Sequence, residues 1–370
     1  MIQASRVMSP SLPTGHIADE PVRASYSWVV RDYTVGGSEE ALAQAHGLVD
    51  ADWYRPHVDR SVLKTLVTSR SRIPVIHLAI WVVLLVVTGW WANAAWGSVW
   101  ALPAFFAYGT LYGSTSDARW HEFGHRTAFR RAWTNDVVYS IASFMTFREP
   151  ESWRWSHARH HSDTIVVGRD PEIAFPRPTS RLRIVAEFFG LLSARNELVK
   201  IARNMVGRPA APQRNYQPAD TLRKSQVWSW VFFLVLASVV VWCVTIGSVK
   251  PAMFIGLPSV YGKWLLMAYG ITQHAGLSED VLDHRMNTRT VHMNAIHRFL
   301  YLNMNYHLEH HIFPNVPYDA LPRLHELVKD QLPPAHRTIR GAWREAFDAM
   351  ARQRDDQSYN ATVQLPSSAA

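Results

Sequence analysis

The stretch IPVIHLAIWVVLLVVTGWW occupies residues 73–91 and contains no Asp, Glu, Lys or Arg. As a helix rising about 1.5 Å per residue it runs roughly 28 Å, close to the hydrocarbon thickness of a bilayer. A second apolar stretch, residues 96–113, follows almost at once, and no Lys or Arg occurs between Arg72 and Arg119. The third, residues 227–246, reads VWSWVFFLVLASVVVWCVTI; the fourth, residues 251–272, is less pure because it holds Pro258 and Lys263. A shorter apolar piece, residues 137–147, cannot span and is expected to lie in the interface.

Basic residues orient these runs. From Arg119 to Lys224 the chain is dense in Arg and Lys, whereas the link after the third run carries only Lys250. Basic loops stay in the cytoplasm. The sequence therefore predicts an all-α integral membrane protein of an inner (cytoplasmic) membrane, with four transmembrane helices in two hairpins and a cytoplasmic helical cap. Both termini and the 114–226 loop share that side. Three regions follow: a cytoplasmic N-terminal segment, 1–72, with residues 1–24 expected to be disordered; a membrane domain, 73–330; and residues 331–370, a C-terminal helix with a disordered tail.

Composition agrees with this division. The formal charge of +8 could serve nucleic acid, an anionic surface or an acidic partner, but basic cytoplasmic loops already account for it. No nucleic-acid binding is expected. Sixteen tryptophans suit the bilayer interface. One cysteine, Cys243, excludes an internal disulfide, a Cys-rich zinc site and a self-contained Fe–S cluster. The N-terminus has no apolar core, so no cleaved signal peptide is expected.

Histidine carries the chemistry. HEFGH supplies His121 and His125, HARHH supplies His157, His160 and His161, and HLEHH supplies His307, His310 and His311. His274 follows the fourth apolar run. Residues three or four apart share a helix face, so each cluster can aim its imidazoles at a common point. The predicted topology puts all the clusters on one membrane side. A catalytic zinc needs three protein ligands and an open position; eight or nine histidines suit two ions instead. Imidazole accepts iron, zinc, copper or nickel, so ligand type alone leaves the metal open. The other histidines, His16, His46, His57, His77, His284, His292, His297, His325 and His336, are expected to be surface or core residues.

In these boxes and their order the chain resembles the membrane fatty-acid desaturase superfamily, over residues 73–327. The resemblance implies two irons held by His121, His125, His157, His160, His161, His307, His310 and His311, with His274 placed like the additional histidine of many members. The animal acyl-CoA branch has a serving Asn four residues earlier; here that position is Gly270. The segments QHAGLSEDVLDHRMNTRTV and NMNYHLEHHIFPNVPYDALPRLHE are most similar to bacterial rhizopine-oxygenase-like and dihydrorhizobitoxine-desaturase-like members.

The implied reaction is O2-dependent removal of hydrogen from an unactivated C–H bond. It ends in a C=C bond in a fatty acyl lipid or a small amino-acid-like metabolite, or alternatively in hydroxylation or O-demethylation. Substrate placement decides between these outcomes. No G-x-G-x-x-G follows a strand and no Cys ligands are available, so electrons must come from a separate carrier. An acidic ferredoxin, Rieske-type included, suits the basic face. Asp170 and Glu309 are the carboxylates expected to hold ligating imidazoles from behind. Lys263, buried in the fourth run, either meets a substrate carboxylate or pairs or snorkels structurally. Two other classes remain: a membrane zinc peptidase, in which Glu122 of H-E-x-x-H is the base, and a metal transporter, whose ligands belong within the spans.

Overall fold

The computed structural model describes residues 31–68 and 72–366, so the stretch 1–24 expected to be disordered lies outside the described residues. Residues from Asp32 onward pack as one unit. Among the described residues there is no β-strand; two isolated bridges join Thr290 to Tyr306 and Val291 to His336.

Two short helices, α1 (Ser38–Ala45) and α2 (Arg60–Thr68), precede the first apolar run. That run forms α3 (Ile73–Ala94), with Pro74 in its first turn, where no intrahelical amide bond is lost. The second run is helical without a gap through α4 (Ala101–Gly109), a π turn (Thr110–Ser114) and α5 (Thr115–Gly124). The π turn shifts the helical register, a device common beside functional sites. It sets the face on which HEFGH emerges. Next, α6 (Ala132–Met145) packs along α5 and exposes Trp133, Val137 and Ile141. HARHH lies on α7 (Pro150–Ser162), capped by the Glu149 carboxylate, which accepts from the amides of Glu151 and Ser152. The amphipathic pair α8 (Arg181–Phe188) and α9 (Leu191–Met205) turns at Gly190, whose φ of 62° favours glycine.

The third run forms α10 (Leu222–Thr245). Both α3 and α10 are long and apolar enough to cross a bilayer. They also turn apolar side chains outward: Val86 is 65% exposed, Trp90 71% and Val244 74%. A contiguous apolar surface of this kind is unfavourable in water and suited to lipid.

The fourth run departs from a continuous span. It forms three short helices, Lys250–Phe254, Pro258–Tyr261 and α11 (Trp264–Gly270). Gly256, at φ 96°, and Pro258 interrupt the helical path. The second run satisfies the freed backbone. Ser114 Oγ donates to the Gly262 carbonyl (2.5 Å) and accepts from the amides of Leu265 (3.0 Å) and Leu266 (2.9 Å). This requires backbone contact. A Cβ on Gly262 would lie 1.9 Å from the Gly109 oxygen, and one on Gly113 would lie 2.3 Å from the Pro258 oxygen. Lys263 falls in the same break, its stem packed against Gly190.

HLEHH forms α12 (His307–Ile312). Beneath it a core of Trp120, Phe123, Tyr139, Leu308, Tyr318 and Leu321 joins α5, α6 and α12. The last helix, α13 (Ile339–Arg352), buries Ala342, Ala346 and Ala349. The tail after it, expected to be disordered, is described as far as residue 366. Arg177, itself buried, anchors it by donating to the carbonyls of Gln357 and Tyr359 and to Asn360 Oδ1, while its Nε meets Glu279 at 3.1 Å. Arg177 lies so far away in sequence that no local pattern signals the contact.

The glycine contact makes a prediction. Gly262→Ala should lower the thermal midpoint of purified protein, because overpacking a tight contact costs about 1–3 kcal/mol. Gly270→Ala, with nothing within 4 Å of the added carbon, should leave the midpoint unchanged or raised.

Candidate metal centre

Nine histidines from four segments converge and sort into two groups. His121, His125, His157, His161 and His310 form one, and His160, His274, His307 and His311 the other; within each group one ring nitrogen per residue lies within 4.8 Å of every other. Helical spacing explains the division. On α7, His157 and His161 are one turn apart and face the first group, whereas His160 points to the second. On α12, His307 and His311 face the second group and His310 the first. Each HxxHH box therefore serves both groups. All nine expected histidines are brought together here.

The spacing fits a coordination shell. His125 and His157 approach to 3.0 Å between Nε2 atoms, His157 and His161 to 3.1 Å, and His161 and His310 to 3.2 Å. In the second group His274 and His307, and His307 and His311, each approach to 3.1 Å. For metal–nitrogen bonds of about 2.1 Å, the edge of an octahedron is about 3.0 Å and that of a tetrahedron about 3.4 Å. His121 gives an independent test. Both of its ring nitrogens are buried without a hydrogen-bond partner, and a metal ion would satisfy one of them.

Outer partners hold the rings. Asp170 Oδ2 meets His160 Nδ1 at 2.9 Å and is itself fixed by the amide of Ile165 at 2.8 Å. Glu172 Oε2 meets His157 Nδ1 at 3.2 Å. Thr164 Oγ1 lies 3.1 Å from His311 Nδ1, and the Asn287 carbonyl 2.8 Å from His274 Nδ1. With Nδ1 engaged behind, Nε2 is left to face the centre, which fixes tautomer and orientation together. Asp170 stands behind His160, a member of the second histidine group.

Glu309 needs correcting. Its carboxylate takes His325 Nδ1 (2.5 Å) and the Thr290 hydroxyl (2.5 Å), and none of the nine histidines. The short helix α12 turns positions 307, 310 and 311 toward the centre and position 309 away from it. The second carboxylate behind the histidine groups is Glu172, which meets His157. Its signal was present, two residues beyond Asp170 in the tight GRDPE turn that follows HARHH. Asp163, by contrast, is held by Arg169 and Arg159.

Electrostatics keep the ligands available. Burial, with the crowding of neighbouring imidazoles, holds His121, His125, His161, His307, His310 and His311 well below the usual histidine range, and His274 likewise. Neutral imidazole is the form that binds metal. For His160 burial pulls down, but Asp170 and Glu172 outweigh it and bring the ring up to about 8. Glu172 is pushed up by burial and pulled down further by His157, to about 2.

Glu122, the residue that suggests a peptidase, has another task. Its buried carboxylate accepts from the Thr127 hydroxyl at 2.5 Å and the Tyr318 amide at 3.3 Å, and it belongs to neither histidine group. Burial raises it to about 7. A zinc peptidase needs this carboxylate beside the metal; here it ties α5 to the segment after α12.

The two carboxylates differ in what they should do. Asp170→Asn should lower metal affinity about 10–100-fold by weakening the support behind His160. Glu309→Gln should leave metal content intact and reduce stability by about 1–3 kcal/mol, because it disturbs the buried bond to His325. Metal analysis of the purified variants beside their thermal midpoints separates the two effects.

Comparison with known proteins agrees with this geometry. The sequence model described as fatty acid desaturase matches residues 105–343, which include all nine histidines. The omega-6 fatty acid desaturase, endoplasmic reticulum isozyme 1, of Glycine max is 25% identical over 304 residues, covering 69% of this chain and 74% of that one. The Delta(12)-oleate desaturase of Trichosanthes kirilowii is 25% identical over 269 residues, 64% and 72% of the two chains. The Delta(5) fatty acid desaturase fat-4 of Caenorhabditis elegans is 22% identical over 249 residues, 57% and 53%. Two histidine groups built from the three boxes and His274, together with a family match over most of the chain, place this protein in the fatty acid desaturase family, among the oxidoreductases.

Proposed function

We propose that this chain is an O2-dependent di-iron desaturase that introduces a C=C bond into an aliphatic acyl chain. The observation that carries the reading is the pair of histidine groups, five and four residues strong, built from shared boxes. The ligands proposed for iron are those nine histidines. Two irons bound there would supply, with O2, two electrons and two protons, an oxidant able to take one hydrogen from each of two adjacent carbons, leaving two waters as the other product.

The protein's contribution is placement. Asp170, Glu172 and Thr164 hold ligand rings from behind. Trp120 packs across His121 and His157, with ring centroids 6.3 and 5.3 Å away, and covers that side of the centre. Keeping water out favours hydrogen abstraction from the chain over side reactions. No thiolate competes, because the one cysteine, Cys243, lies on α10.

The membrane arrangement proposed is four apolar segments in two hairpins of an inner membrane, with the boxes and both termini on the cytoplasmic side. Its supports are the two long apolar helices and the Arg- and Lys-rich 114–226 segment. The broken fourth segment is compatible with lipid because Ser114 and neighbouring backbone satisfy its polar groups. The electron donor proposed is an acidic ferredoxin, Rieske-type included, drawn by the net charge of +8.

Expression with a reducing ferredoxin system, followed by mass spectrometry of lipid extracts and of small metabolites, tests the reading. A product lighter than its precursor by two hydrogens is expected, and His157→Ala and His310→Ala should abolish it. A product heavier by one oxygen would make the enzyme a hydroxylase. Peptide cleavage dependent on zinc would overturn the reading.

A further inference from the structure

The helix pair α8 and α9 is held on one side only. Inward, Ile184 is buried against Ile271, Ala346 and Met350, and Glu197 accepts from Trp153 Nε1 (2.6 Å). α8 packs on α11 of the fourth segment, and α9 packs along α10. Between them the turn at Gly190 rests on the Lys263 stem. The pair is therefore wedged against the third and fourth apolar segments.

Outward it is apolar. Leu182 (77% exposed), Val185 and Phe189 (58%) follow one helix face at spacings of three and four. Leu191 and Leu198, one heptad apart, are exposed on α9, and Val206 just after it. Uncovered side chains of this size mark a contact surface. The patch is continuous with surface already suited to lipid. Trp230 on α10, itself exposed, donates from Nε1 to the Met205 carbonyl at the end of α9 (3.2 Å). Tryptophan favours the boundary between acyl chains and water, so this bond puts the end of α9 at that level.

The charge on the pair has one sign. Residues 181–208 carry Arg181, Arg183, Arg195, Lys200, Arg203 and Arg208 against two acids, Glu187 and Glu197. Both acids are occupied, Glu187 by the Ser193 hydroxyl (2.6 Å) and Glu197 by Trp153 and Lys200. Arg181, Arg183, Arg203 and Arg208 are exposed and make no ion pair among the described residues. Apolar side chains interleaved with free arginines describe a helix lying in a membrane surface, and the arginines add attraction to anionic headgroups. An acidic protein would answer the arginines but leave Leu182 and Phe189 without an apolar partner. We propose that α8 and α9 lie in the bilayer interface, with Leu182, Val185 and Phe189 among the acyl chains and Arg181 and Arg183 on the phosphates of anionic lipids. This rests on the membrane arrangement proposed above and adds a surface to it.

Spin labels on the full chain in bilayers of phosphatidylcholine and phosphatidylglycerol test it. In a Cys243→Ser background, labels at Leu182→Cys and Phe189→Cys should collide more with oxygen, which dissolves in acyl chains, than with a water-soluble nickel complex. A label at Arg344→Cys, on the exposed side of α13, should show the reverse. Phe233→Cys on α10 separates the two levels of the argument. Oxygen preference at Phe233 with nickel preference at Leu182 and Phe189 would overturn this inference and leave the membrane reading; nickel preference at all three would remove both. In detergent, short-chain phosphatidylglycerol should immobilise the Leu182 label at concentrations about tenfold or more below those of short-chain phosphatidylcholine. Changing Arg181→Gln and Arg183→Gln together should erase that difference. Equal titration by the two lipids, or immobilisation by an acidic ferredoxin and by neither lipid, would overturn the proposal.

Discussion

Nine imidazoles held within touching distance of one another, most of them with their charge suppressed by burial, are the constraint on which this structure depends. Without a cation, several ring nitrogens at about 3 Å from each other place lone pairs and N–H groups in conflict, and His121 is left with two unmet polar atoms. The fold offsets part of that cost by fixing four of the nine rings from their far side. Asp170, Glu172, Thr164 and the Asn287 carbonyl grip four of them from behind. The result is a preorganised donor set rather than a flexible cluster that metal must assemble.

The scaffold serves that placement. HEFGH sits at the end of a helix whose π turn sets its register, and the same helix is pressed against the broken fourth segment through Gly109, Gly113 and Gly262. His274 emerges just after that segment. The close glycine contact and the Ser114 hydrogen bonds therefore connect the membrane-facing helices to one corner of the centre. Glu122 ties the same helix to the backbone beyond HLEHH. Packing and chemistry are coupled through α5.

The site was more legible than the scaffold. Spacings of three and four residues reported which histidines share a face, and long uncharged runs reported α3 and α10, because both are local periodicities. Contacts between distant segments left no such trace. The breaks in the fourth run depend on Ser114 and Gly109, far away in sequence. The contacts of the tail depend on Arg177, and the direction of Glu309 on the start of a six-residue helix. Glu172 was visible, but nothing in the sequence ranked it above Glu309.

The two histidine groups offer unequal donor numbers to a metal, five imidazoles and four. Mössbauer spectroscopy of the protein loaded with iron-57 examines this directly. Two quadrupole doublets of equal area, from two irons per chain in different surroundings, are the predicted result. A single doublet with one iron per chain, or a protein that retains zinc and rejects iron, would contradict it.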